Sequence, residues 1–308
     1  MSVDFVPTGA WEVQRHPQFI EETAYAVTDL ADNNWSPIGI VTEIGMEVTI
    51  EEDVVRILGS RDIYNQIKLG IGYAFAVRYR PQGTKFMRYG TELPARTPAP
   101  DNTGVAPNGT NFVSLSILLS AYIDDTEKWR IYKGCKTGSV GVSISRDAGI
   151  EVEQNFIAKD ITIWDVEPTW SANTYAGAVS GNPWTGTSMG PNPLTIAGTT
   201  VQCPEFNFNV DQGLGELKAT GIESVFYLAP TNREITLDFM TWVKDNTRLT
   251  QTKNHTALAL TYLMNAGATA TFAGVKYNSY TSGIEGGSAD VLQEEIAASG
   301  KTLTIPVI

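Results

Sequence analysis

The sequence predicts a mainly β protein made of two tandem antiparallel β-sandwich or barrel modules, each with one short flanking helix. Three observations predict it. Period-2 alternation runs through Ile38–Ile50 and again through Ile71–Tyr79. The segment 43–79 reappears without a gap at 205–241, so that Glu43-Ile44-Gly45-Met46-Glu47-Val48-Thr49 lies over Glu205-Phe206-Asn207-Phe208-Asn209-Val210-Asp211. The offset of 162 also carries Gly59 onto Gly221, and Tyr73, Phe75 and Val77 onto Ile235, Leu237 and Phe239. A slip of one residue would turn every apolar side chain to the other face, so parity kept over two strands marks a repeated unit.

The elements follow in order. Residues 11–32 hold Trp11, Phe19, Ile20, Tyr25 and Leu30 at spacings that favour neither helix nor strand. In the strand 38–50, Ile44, Met46, Val48 and Ile50 are expected inward, with Glu43, Glu47, Thr49 and Glu51 outward. A second strand covers 71–80. A long loop, 81–110, contains Pro94, Pro98, Pro100 and Pro107, which cannot sit inside a sheet. Loops of this length are usually functional, and this one is expected to leave the sandwich. Residues 112–123 return to strand, Asp124–Arg130 read as a short helix with an acidic first turn, and Val140–Ser145 and Glu151–Ile163 close the first module.

The second module should have strands near 201–211, 233–243, 256–264 and 291–305. Leu115-Ser116-Ile117 matches Leu258-Ala259-Leu260, and Gln154–Ile163 resembles Gln293–Ile305. The offset has fallen to about 140 there, which places a deficit in the second copy at the Pro-rich loop. Module one is therefore read as 1–167 and module two as 205–308. Between them, 168–204 carry no charged side chain but hold Trp170, Tyr175 and Trp184, as expected of a linker laid along a protein surface.

With 42% hydrophobic and 18% charged residues, the composition is that of a folded chain. A net charge of −12 excludes binding nucleic acid by neutralising its phosphates. Met1-Ser2-Val3-Asp4-Phe5 lack the features of a secretory signal, and the apolar run near 112–123 is too short to span a bilayer. Cys135 and Cys203 are too few for a disulfide framework and are read as free thiols.

Chemistry is sparse. His16 and His255 have no second His or Cys at ligand spacing, so no metal site is expected. Lys136-Thr137-Gly138 lacks the Ser-x-x-Lys that would make it a penicillin-binding signature, and Gly213-Leu214-Gly215 lacks the third glycine of a dinucleotide site. No catalytic set and no cofactor are expected.

The chain resembles the tail tube (major tail) proteins of long-tailed bacterial and archaeal viruses. The resemblance rests on Trp35-Ser36-Pro37-Ile38-Gly39 leading into Glu43–Ile50, the turn Ile57-Leu58-Gly59-Ser60, the strand Tyr73–Tyr79 and the closing strand Gln154–Ile163. In the second copy it rests on Glu205–Asp211, Gly221, Ile235–Thr241 and Gln293–Ile305.

The resemblance implies six modules per ring, hence three duplicated chains around a pseudo-sixfold axis, and stacked rings that conduct the viral genome. It further implies a structural virion protein of the tail, made in the host cytoplasm, without enzymatic activity or membrane contact. Its partners would be itself and tail-terminator, tape-measure and distal tail proteins, with viral DNA passing through unbound. Glu43, Glu47, Glu51, Glu205 and Asp211 are the candidate lumen-facing acids. The alternative for these acids is a soluble outer wall. The alternatives for the protein are a distal tail connector or contractile-system tube, or a carbohydrate-binding sandwich using Trp170, Trp184 and Trp242.

Overall fold

The structure is a computed structural model describing residues 17–22, 25–27, 35–56, 63–91, 113–123, 126–164, 184–185, 192–217, 227–242, 245–265, 267–283 and 293–306. The first half comprises β1 (Gln18–Glu21), β2 (Ser36–Pro37), β3 (Ile40–Arg56), β4 (Ile63–Arg80), α1 (Lys85–Thr91), β5 (Leu115–Ile123), β6 (Thr126–Ser145), β7 (Gly149–Ala158) and β8 (Asp160–Trp164). The second comprises β9 (Leu194–Ile196), β10 (Thr199–Val201), β11 (Glu205–Asp211), β12 (Leu214–Leu217), β13 (Tyr227–Pro230), β14 (Glu234–Trp242), α2 (Thr247–Lys253), β15 (Leu258–Asn265), β16 (Ala268–Gly283), β17 (Gln293–Gly300) and β18 (Thr302–Thr304). The protein is mainly β, and all the ladders among the described residues are antiparallel.

One long sheet organises the molecule, in the order β3-β4-β7-β6-β11-β14-β17-β16. β6 and β16 are long enough to serve two layers. Their C-terminal halves belong to the long sheet; their N-terminal halves join β5 and β8, or β15 and β18, in a second layer. Each crosses between layers at a glycine with φ +63°, Gly134 and Gly274. A Cβ there would lie 2.9 Å from the Cβ of Lys159 or Lys301 respectively, so both conformation and space require glycine. The layers meet in one apolar core, where Phe75 lies 4.3 Å from Tyr132 and Phe206 lies 4.4 Å from Tyr262.

The ladders of the two halves keep one another's register. Met46 opposes Phe75 and Phe208 opposes Leu237, each residue displaced by 162. α1 and α2 are displaced by the same 162. Leu115 opposes Cys135 and Leu258 opposes Val275, followed in both cases by an irregularity before Ile117 or Leu260. A bulge falls between Thr137 and Ser139 opposite β7, and between Tyr277 and Ser279 opposite β17. The long connection differs as expected: residues 92–114 separate α1 from β5, but only 254–257 separate α2 from β15.

Several expectations are corrected. Thr126–Arg130 open β6 and are not helical, while 124–125 lie outside the described residues. Trp129 and Ile131 are buried while Lys128 and Arg130, which alternate with them, are part-exposed, so strand periodicity and pairing with β5 and β8 override the acidic helix-start signal. The helix instead lies at 85–91, inside the segment read as loop 81–110. Pro81 precedes it and the next proline is Pro94, so none falls inside it, and Phe86, Met87 and Tyr89 bury its inner face. Residues 92–110 lie outside the described residues.

Met46, Val48 and Ile50 do not face a core: they are 45%, 57% and 55% exposed, whereas Phe208 and Val210 on β11 are 3% and 0% exposed. β11 has strands on both sides; among the described residues β3 pairs with β4 alone. The matched ladders put Ile296, not Gln293, in the place of Gln154. The stretch read as a linker contributes β9 and β10, which extend the sheet through β15.

Candidate functional site

The long sheet has one apolar face, turned to the core, and one polar face. Alternation puts Glu43, Glu47 and Glu51 of β3 on the polar face, with Glu205 and Asp211 of β11 on the same side. Register then adds acids the sequence reading passed over: Glu151 and Glu153 on β7, Glu234 and Asp238 on β14, and Glu295 on β17. The signal for them was available, since each sits an odd number of residues from the buried side chains of its own strand. Most are exposed, and Glu151 and Glu153 are half-buried.

Between the acids the face is built from small residues. The central strand β6 presents Ser139, Gly141, Ser143 and Ser145, flanked by Asn155 on β7 and by Asn207 and Asn209 on β11. Ala74 and Ala76 of β4 and Gly45 of β3 continue the pattern, and shallow depressions open along it.

Arg78 stands among three of the acids. Its guanidinium bonds Glu43 Oε2 at 2.7 Å and Glu153 Oε2 at 2.7 Å, and lies 3.3 Å from Glu151 Oε1. Those carboxylates, Glu153 first, raise its pKa further above its already high value. The pairs are exposed, so they contribute little to folding but fix where the charges sit. The corresponding place in the second half holds Met240, opposite Glu205 and Glu295, so the cation is missing there.

The remaining candidates go elsewhere. His255 is exposed just after α2, and His16 lies outside the described residues. Among the described residues no group of three or more His, Cys, Asp or Glu is placed to hold a metal ion. Cys135 and Cys203 are buried free thiols, and burial pushes Cys203 up to about 12. Lys136-Thr137-Gly138 lies within β6. Burial lowers the Lys136 pKa to about 8, and its Nζ donates to the Leu228 carbonyl at 2.8 Å. Trp184 is buried and so offers no open stacking platform for a sugar, and Trp170 lies outside the described residues. No helix among the described residues is long and apolar enough to cross a membrane.

The molecule therefore offers an extended, acidic, low-relief sheet face and no convergent catalytic set among the described residues. Such a surface repels polyanions and gives them nothing to grip. None of the curated proteins matches the chain. A family model described as phage tail tube protein matches residues 20–300, taking in both halves together, and the chain belongs to that family.

Proposed function

We propose that three copies of this chain close a pseudo-sixfold ring, that the rings stack, and that the polar face of the long sheet lines the channel through which viral DNA passes. Membership of the family gives the coarser statement, a structural protein of the virion tail that assembles with itself and with other tail proteins. The observation that carries the finer one is the polar face itself, eight strands wide with ten carboxylates and small residues between them. The matched ladders support reading the chain as two tandem modules, 1–167 and 205–308 joined by 168–204, so that three chains supply six modules. Tail-terminator, tape-measure and distal tail proteins are its expected neighbours along the tail.

Passage requires that DNA not lodge. Fixed cations would bind phosphates with an affinity rising steeply as salt falls, whereas carboxylates keep the duplex on the axis. Glu43, Glu47, Glu51, Glu205 and Asp211 serve this role. The test is a virion carrying Glu43→Lys, Glu47→Lys and Glu205→Lys. Tubes should assemble, and DNA ejection should slow at low salt and recover at high salt. Unchanged ejection, together with ready chemical labelling of these positions from outside intact tubes, would place the face on the outer wall.

A further inference from the structure

We propose that the seam between neighbouring chains repeats the seam already present inside each chain. β3 of one copy pairs with the C-terminal half of β16 of the next, in the register Gly45↔Gly283, Met46↔Ser282, Glu47↔Thr281, Val48↔Tyr280 and Thr49↔Ser279. The inference rests on the ring reading and adds to it the strands, the register and the side chains that close the ring.

The register comes from the structure without adjustment. Inside the chain the halves join where β6 pairs with β11, from Ser139↔Asp211 to Ser145↔Glu205. An offset of 162 carries the β11–β14 ladder onto β3–β4. Given the matching β7 and β17 ladders, an offset of 140 carries β6 onto β16, bulge included, in its pairing with β17 and with β18. Applying both offsets to the β6–β11 seam gives the register stated. Among the described residues, β3 has no strand beyond it and the C-terminal half of β16 pairs with β17 alone.

Exposed apolar side chains sit where this seam would cover them. Met46, Val48 and Ile50 are the counterparts of Phe208, Val210 and Gln212, all buried by the internal seam. Leu249 on α2 is 41% exposed, while its counterpart Met87 on α1 is 0% exposed. α1 also spans the internal seam: Gly90 and Thr91 on it accept hydrogen bonds from Gln212 and Arg233. The polar contacts have counterparts too. The Gln212 amide donates to the Gly138 carbonyl at 2.8 Å, which corresponds to Ile50 and Asn278. Lys136, whose amine crosses the internal seam to the Leu228 carbonyl, corresponds to Lys276, and Leu228 to position 66 of β4 in the next copy. The two edges differ from one another, so each needs the opposite edge of another copy, and such a heterologous contact gives a ring when its rotation closes.

The test uses the full chain. A Glu47→Cys, Thr281→Cys variant, assembled and oxidised, should give a covalent trimer on a non-reducing gel. Glu47→Cys with Ser279→Cys, or with Gly283→Cys, should give several-fold less, because a two-residue slip lengthens the Cα separation beyond easy disulfide reach. Equal or greater cross-linking in a slipped pair overturns the register. Separately, Val48→Asp should leave the free chain folded, with an unchanged melting temperature, yet abolish rings. Intact rings from Val48→Asp would overturn the seam and leave the ring standing. The absence of three-chain rings from the unaltered protein in electron micrographs would remove both.

Discussion

The two helices occupy matching places in the two halves and rest on different chemistry. Under α1, Phe86 meets Tyr79 at 5.4 Å and Phe156 at 5.5 Å, with Val152 buried in the same core. At the positions matching Phe86, Tyr79 and Val152, the second half has Arg248, Thr241 and Glu294. Arg248 ion-pairs with Glu294 and donates to Thr241 Oγ1 at 2.7 Å, while Thr241 donates to Glu294 Oε1 at 2.6 Å. The ladders beneath keep the same register although an aromatic cluster in one half is a buried ion pair in the other. Backbone pairing thus positions these elements, and the interior is refilled around it, with aromatic rings in one half and a paired carboxylate in the other.

The largest test of that comparison is to break the ion pair from one side. Glu294→Ala leaves Arg248 without its carboxylate and should cost about 3–5 kcal/mol in denaturant unfolding. Arg248→Phe combined with Glu294→Val rebuilds the first half's solution and should recover most of that loss. A double variant as unstable as the single one would mean that the two seats are not interchangeable. Next in size are the crossing glycines. Gly134→Ala and Gly274→Ala should each cost about 1–2 kcal/mol for the left-handed backbone, with a further penalty for displacing Lys159 or Lys301. Near-equal losses support equivalent bends, and a loss in only one would separate them. The smallest effect is expected from Arg78→Met, which copies Met240 into the first half. The melting temperature should hold at low and at high salt; a drop confined to low salt would show that the Arg78 cluster holds the sheet together.

Much of this was legible in the sequence. Alternation located β3, β4, β11 and β14, and the offset of 162 foretold that Met46 and Phe208 would take matching places. What alternation could not reveal was coverage: Val48 and Val210 share a pattern and differ only in which strands lie beyond them. The strand β6 was half-missed because Asp124-Asp125-Thr126-Glu127 imitates a helix start. β16 was missed because its small and polar residues hide the apolar period, and its bulge after Tyr277 shifts the phase. On the polar face, five of the acids were legible from single strands. That Arg78 and these carboxylates form one cluster became visible only through pairing, since Glu43, Arg78 and Glu153 come from three strands.

The joining of β6 to β11 within one chain has a kinetic consequence. In the proposed ring, three of the six joints are formed as each polypeptide folds and persist at any dilution. Their partners are tethered, so the joint closes at an effective concentration set by the connecting segment and not by the supply of protein. Only the other three joints depend on encounters between molecules. Nucleating a ring therefore follows about the third power of protein concentration, where single-module subunits would need about the sixth. A duplicated wall unit can begin a tube while its pool is still small.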